Sequence, residues 1–310
     1  MVSWEGVRLV KILNIGSCNI DHVYSLDHIV KSGETEATNR FDTFAGGKGL
    51  NQSIAAVRAG AQVYHAGCIG CDGTFLEELM RKSGVDTSLV KRVDAPNGHA
   101  VIQVSSHGEN AIFLFAGSND MLDRAYIDGV LARFGAGDLL LLQNEVNDIA
   151  YIVEKAHERA IPIMLNPSPY NEKIKAVDFA KLSYLILNEV EATDITGLQD
   201  PVACLDYFKE RYPQLKVMLT LGKNGCMFAD GAHIWRQPIY PVPVVDTTAA
   251  GDTFTGYFLA GIANGCAPQE ILQTASLAAA IAVSRKGAAP SIPTRDELTA
   301  WNDLTQREEK

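Results

Sequence analysis

Asp252 lies in Val245-Asp246-Thr247-Thr248-Ala249-Ala250-Gly251-Asp252-Thr253-Phe254, a run of small residues that opens a helical pattern reaching Ala263. The first turn of a helix has unpaired N–H groups and the positive end of the macrodipole, so Ala249, Ala250 and Gly251 would let an anion approach the main chain. A carboxylate beside such an anion hole can take the proton of an alcohol that attacks a phosphoryl group. Capping the helix is the other use of an aspartate there. A second loop, Phe44-Ala45-Gly46-Gly47-Lys48-Gly49-Leu50-Asn51-Gln52, also leads into a helix. It is not a Walker A loop, because Gly49 rather than Ser or Thr follows Lys48. Its glycines permit close approach of a ligand to the backbone, or only shape a turn, and Lys48 and Asn51 stand about one turn apart. In Asn14-Ile15-Gly16-Ser17-Cys18-Asn19-Ile20-Asp21, Asn19 and Asp21 alternate onto one face, which suits neighbouring sugar hydroxyls or a turn cap.

The elements that must position these residues show in the apolar pattern. Strand-like runs at 9–15, 63–66, 139–142, 161–165, 184–187 and 217–221 alternate with helical stretches at 49–59, 75–82, 149–159 and 189–193. Continuous apolar runs mark strands buried on both faces, and helix-length spacers imply right-handed crossovers. The pattern predicts an α/β fold, a doubly wound, mostly parallel sheet flanked by helices. Two segments, at about 19–44 and 98–117, show strand-turn-strand signals with no helix between. These are expected to form a small β-sheet lid over the crevice at the carboxyl ends of the main strands. Helices are expected over 251–263, 269–283 and 295–303, and residues 1–310 as a single domain. Gly135-Ala136-Gly137-Asp138 spells another anion-hole sequence, but it precedes a strand and reads as a turn.

Composition narrows the partners. The chain has 27 basic and 37 acidic residues, a net charge of −10, so no basic field exists to hold nucleic acid or an acidic membrane. Apolar runs such as 277–283 fall far short of the roughly 20 residues that span a bilayer. Residues 1–8 contain Glu5 and no apolar signal core, so a cytoplasmic protein is expected. The six cysteines are too sparse for a disulfide-stapled secreted domain and read as reduced; the Cys68/Cys71 pair lacks the further ligands of a zinc site.

The Gly46-Gly47-Lys48-Gly49 segment with Asn51, and the Asp246-Thr247-Thr248 segment running into Gly251-Asp252, resemble the two signatures of the ribokinase family, also called the PfkB carbohydrate kinases. The resemblance covers residues 9 to about 293. It implies that Asn19, Asp21, Gly47, Lys48, Asn51 and Glu145 hold sugar hydroxyls, that Ala100 reaches the sugar of a partner subunit, and that Asp252 is the base. On the nucleotide side it implies that Asn188, Thr220, Gly222, Gly225 and Gly251 bind ATP, with Glu191 acting indirectly on Mg2+. Asp246, Thr248, Ala282, Arg285, Gly287 and Ser291 match positions that ligate a monovalent cation, K+. The activity so implied is phosphorylation of the 5-hydroxyl of D-ribose by ATP in a homodimer joined through the lids. A kinase for deoxyribose, another sugar or a nucleoside is the rival, and a catalytically dead sugar-binding regulator is the rival from another class.

Overall fold

The computed structural model of the protein describes residues 9–308. In chain order the first half comprises β1 (Lys11–Ile15), β2 (Asn19–Leu26), β3 (Arg40–Gly46), α1 (Lys48–Arg58), β4 (Gln62–Ile69), α2 (Thr74–Lys82), β5 (Asp86–Arg92), β6 (Gly98–Ser105), β7 (Asn110–Phe115) and α3 (Arg124–Leu131). The second half comprises β8 (Leu139–Gln143), α4 (Ile149–Glu158), β9 (Ile163–Asn166), α5 (Glu172–Lys175), β10 (Tyr184–Asn188), α6 (Glu189–Thr196), α7 (Pro201–Arg211), β11 (Lys216–Thr220), β12 (Cys226–Asp230), β13 (His233–Gln237), α8 (Ala250–Ala263), α9 (Pro268–Val283) and α10 (Arg295–Glu308).

Nine strands form one sheet in the order β13-β12-β11-β10-β9-β8-β1-β4-β5. Pairing is parallel from β11 to β5, and the β12–β13 hairpin adds an antiparallel edge that the apolar pattern did not announce. Along β8, Leu139 and Leu141 join the core on the α1 and α8 side, while Leu140 and Leu142 join the core on the α4 and α7 side. Both faces are therefore dry, and the strand reads as a run of leucines instead of an alternation. Each such leucine contributes about 1.5–3 kcal/mol of burial free energy.

The chain leaves β1 toward β4 and later returns on the other flank through β8, so the order of strands reverses at β1. Ligand crevices of open α/β sheets open at the carboxyl ends of the strands beside such a reversal. The lid is a four-stranded sheet in the order β3-β2-β6-β7, inserted after β1 and after β5, as expected. Its exposed apolar side chains stand on both faces rather than one. By register and alternation, Phe44, Ile112 and Leu114 share the face of Asp21, whereas Phe41, Phe113 and Phe115 share the other with His22 and His99.

Residues 135–138 form a turn ahead of β8, closed by the Asp138 N–H donating to the Gly135 carbonyl at 2.9 Å. Cys68 packs in the core within β4, and Cys71 is exposed beyond its end. No helix among the described residues is long and apolar enough to cross a membrane.

Candidate active site

Glycines set the distance between β1 and α1. A Cβ on Gly49 would lie 2.4 Å from the Ser17 nitrogen, one on Gly16 would lie 2.7 Å from the Gly49 Cα, and one on Gly67 would lie 2.5 Å from the Gly16 carbonyl oxygen. This column lets the Leu50 N–H donate to the Ser17 carbonyl at 2.9 Å. Lys48 and Asn51, in the first turn of α1, are thereby delivered to the sheet's carboxyl edge. Lys48 Nζ meets Glu145 Oε1 at 2.8 Å, and Glu145 Oε2 accepts from the Lys48 main-chain N–H at 3.0 Å and from Ser17 Oγ at 2.5 Å. Glu145 follows β8, so the reversal point holds a carboxylate clamped by both flanks.

Asn19 and Asp21 stand at the start of β2, where the lid leaves the sheet. Asn19 Oδ1 accepts from Asn119 Nδ2 at 2.7 Å, which fixes which edge of the Asn19 amide carries its Nδ2 donor. Asp21 presses on Gly46, where a Cβ would lie 2.0 Å from its Oδ2, so only glycine leaves room for that carboxylate. Gly47, at φ 92, turns the chain from β3 into α1. Burial, then repulsion from Glu145 and Asp252, push the Asp21 carboxyl up to about 7, with Lys48 opposing. Ala100 is buried in β6 directly opposite Asp21.

Asp252 occupies the first turn of α8 and faces the same carboxyl edge. Asn51 Nδ2 donates to its Oδ2 at 3.0 Å and Gln52 Nε2 to its Oδ1 at 2.9 Å. Burial raises its pKa above the usual carboxylate value; Lys48 and the two amides offset part of that shift, and Glu145 adds to it. The Lys48 ammonium is pushed down by burial, but Glu145 and Asp252 outweigh this and hold it above its ordinary value. Ala249 is in the left-handed region at φ 59, a conformation that costs an alanine on the order of 1 kcal/mol. At the helix start the Ala250 N–H makes only a long bond to the Thr247 carbonyl, at 3.3 Å, and the Gly251 amide has no partner within the helix.

Beyond α8 opens a cleft of ≈ 750 Å³ whose walls include Asn188, Thr220, Gly222, Gly225, Ala250 and Gly251. Apolar side chains such as Val190, Val242, Val244 and Ala279 line its far part. Asn188 and Glu191 form a capping box on α6: Asn188 Oδ1 accepts from the Glu191 N–H, and Glu191 Oε2 accepts from the Asn188 N–H. The capping use of this pair is thus realised, and Glu191 keeps Oε1 for another partner. Gly225, at φ 86, passes so close to the β13 end that a Cβ would lie 2.1 Å from the Gln237 carbonyl oxygen.

The two segments matched to cation binding meet behind the helix start. Asp246 Oδ1 accepts from the Thr248 N–H and its Oδ2 from the Gly287 N–H, both at 2.9 Å, and Val245 and Asp246 donate to the Val283 carbonyl. Burial alone would raise the Asp246 carboxyl, but these bonds outweigh it and hold it below the ordinary value. Ser291 is buried, Ala282 lies at the end of α9, and Arg285 pairs with Glu297 at 2.8 Å. Carbonyls, not side chains, would be the donors here, and that donor set fits a weakly hydrated monovalent cation better than a divalent one.

Ser17, Asn119, Gln52 and Gln143 all join this hydrogen-bond system without having been assigned roles from the sequence. For Ser17 and Gln52 their places in the two loops were the only signal; Asn119 and Gln143 had none.

A helix start that presents the Gly251 amide, a carboxylate beside it, a polar cluster on one side and a cleft on the other suit a phosphotransferase with an alcohol acceptor. Residues 10–295 match the pfkB family of carbohydrate kinases, and the chain belongs to that family. It is 35% identical over 289 residues to a ribokinase of Bacillus subtilis, covering 92% of this chain and 96% of that one. Among solved structures it is similar to a ribokinase of Cryptococcus neoformans in complex with ADP, with TM-score 0.85, 34% identity, and 94% and 99% of the two chains covered. It is also similar to an Arabidopsis thaliana ribokinase complexed with ribose and ATP, with TM-score 0.84, 27% identity, and 94% and 98% covered.

Proposed function

We propose that the protein transfers the γ-phosphoryl group of ATP to the 5-hydroxyl of D-ribose, giving ribose 5-phosphate and ADP. The observation that carries this reading is the placement of Asp252 between the polar set of Asp21, Lys48, Asn51 and Glu145 and the cleft of ≈ 750 Å³. Ribose lies between lid and sheet, its ring hydroxyls bound by Asn19, Asp21, Lys48, Asn51 and Glu145 near Gly47. ATP occupies the cleft along Asn188, Thr220, Gly222 and Gly225, with its adenine in the apolar part.

As the 5-oxygen attacks the γ-phosphorus, its proton passes to Asp252 and the bond to the bridging oxygen of ADP breaks. The amides of the Ala249 to Gly251 segment meet the charge that spreads over the transferring oxygens. Mg2+ on the triphosphate would neutralise charge there, and Glu191 Oε1 is the group available to order its water shell. A K+ ion held by carbonyls around Asp246, Thr248, Ala282, Arg285, Gly287 and Ser291 would stiffen the loop leading into the anion hole without touching either substrate.

The same reading makes the chain one kinase domain with an inserted lid, in the cytoplasm, and a homodimer through the lids. In that dimer Ala100 approaches the sugar of the partner subunit. The experiment is ADP release under Mg-ATP with ribose, deoxyribose, hexoses and nucleosides. Ribose should show the highest kcat/KM; a clearly better nucleoside or sugar phosphate overturns the substrate assignment.

A further inference from the structure

A second polar system lies beneath Asp252, fully inside the protein. Asn14, His65 and Gln143 come from the neighbouring strands β1, β4 and β8 and, by alternation with the surrounding core residues, point to the face covered by α1. Each is 0% exposed, and Gln52 and Ser53 on α1 are 1% and 0% exposed. Asn14 Nδ2 donates to the Gly49 carbonyl and to Ser53 Oγ, both at 2.8 Å. Gln143 Nε2 donates to Asn14 Oδ1 at 3.0 Å and to Gln52 Oε1 at 2.8 Å. Gln52 Nε2 then donates to Asp252 Oδ1 at 2.9 Å.

This chain has a direction, and one backbone atom sets it. The Gly49 carbonyl can only accept, so the nitrogen of Asn14 must face it and the oxygen of Asn14 must face Gln143. Gln143 must then present its nitrogen, which uses both of its hydrogens on Asn14 and Gln52. Gln52 is left with its oxygen toward Gln143 and its nitrogen toward Asp252. The arrangement is kept even though Gln143 Oε1 is buried with no partner. An isolated carboxamide beside Asp252 could turn either edge to it; this one is a donor in every state of the network.

The geometry points to Gln143 and Asn14 as positioning residues that act through Gln52, locking its amide as a permanent donor to Asp252 and so keeping the base ionised and aimed. This rests on the reading of Asp252 as the base. Other groups facing Asp252 are Asn51 and Lys48 of α1, Glu145 after β8 and Asp21 of β2. None of these touches Gln143 in the network above.

The test is the pH profile of kcat for wild type, Gln143→Met, Gln52→Met and Asp252→Asn. Gln143→Met removes the donor that orients Gln52 while leaving every substrate contact in place. Gln52→Met removes the amide that donates to Asp252 without adding a charge beside it, and it decides the matter should Gln143→Met not fold. Loss of one hydrogen bond to a charged group moves a pKa by about one to two units, and here the move is upward because the bond favours the ionised form. In both variants the acid limb should therefore shift to higher pH by about one unit, with kcat down about tenfold at pH values below both limbs and the KM for ribose little changed. Unshifted limbs in folded variants, alongside an Asp252→Asn variant that has lost the limb, would refute the positioning role alone. An Asp252→Asn variant that keeps a wild-type limb would refute the base assignment, and this inference with it.

Discussion

Replacing Asp252 by asparagine separates basicity from shape. In the wild type both carboxylate oxygens accept an amide, from Asn51 at 3.0 Å and Gln52 at 2.9 Å. The Gln52 amide cannot turn, so the new side chain must present its oxygen there and its nitrogen to Asn51. Asn51 Oδ1 is buried without a partner, so rotation of the Asn51 amide supplies the acceptor that this nitrogen needs. The substitution therefore keeps the shape of the side chain and moves the unpaired polar atom of Asn51 from its oxygen to its nitrogen. It also removes a carboxyl whose folded pKa lies above its unfolded value. Such a group weakens the native state progressively as pH rises through the window between those two values, so the variant should match or exceed wild-type stability at pH 8. Turnover behaves differently. General-base contributions are on the order of 10²- to 10⁴-fold, or roughly 3 to 5 kcal/mol, and the α8 amides continue to supply the rest of the acceleration. Steady-state ADP release should show kcat lowered within that range, while calorimetry finds ribose affinity little changed. A well-folded variant with near wild-type turnover would reduce Asp252 to a helix-terminal residue.

Lys48→Met leaves Glu145, whose side chain is 8% exposed, without its cation; denaturant melts should show a loss on the order of 2 kcal/mol, largely restored by adding Glu145→Gln. Asp21→Asn should raise thermal stability at pH 8 and leave it unchanged near pH 4, because the carboxyl titrating at about 7 penalises the ionised native state only as pH rises between its unfolded value and 7; an equal effect at both pH values contradicts the assignment. Light scattering at micromolar concentration should find the wild type dimeric and Ile112→Lys combined with Leu114→Lys, which puts charges on the lid face shared with Asp21, monomeric; a monomeric wild type refutes the proposed dimer. Exchange of K+ for tetramethylammonium at constant ionic strength should lower kcat, and an unchanged rate would remove the cation from the mechanism.

What the sequence made legible follows burial. β8, β10 and β11 stand in the interior of the sheet, and two dry faces wrote them as largely apolar runs. β5 is at the sheet edge with Leu89 as its one buried residue, so charged positions hid it. The β12–β13 hairpin carried its signal in Asp230 and Gly231, a turn pair that apolar periodicity does not register. In the site, Asp252, Lys48 and Asn51 could be read because a helix start next to small residues is a local pattern. The bonds from Asn119 to Asn19 and from Gln143 to Asn14 span 100 and 129 residues, and pairings at such separation leave no local trace. Asn188 and Glu191 show the opposite difficulty, since one spacing serves both a cap and a nucleotide site.

The glycine column of Gly16, Gly49 and Gly67 has a bearing on inheritance. Every amino acid that a single base change can put at these codons adds a carbon, and at Gly49 that carbon would land 2.4 Å from the main-chain nitrogen of Ser17. No side-chain rotation relieves a collision with backbone, so tolerating it requires α1 to withdraw from β1. That withdrawal carries Lys48 away from Glu145 and both Asn51 and Gln52 away from Asp252. The apolar walls of the cleft and the outer face of the lid can drift one substitution at a time. The spacing between α1 and β1 can change only if several positions change together, which makes this column a fixed point around which descendants of the gene are free to vary.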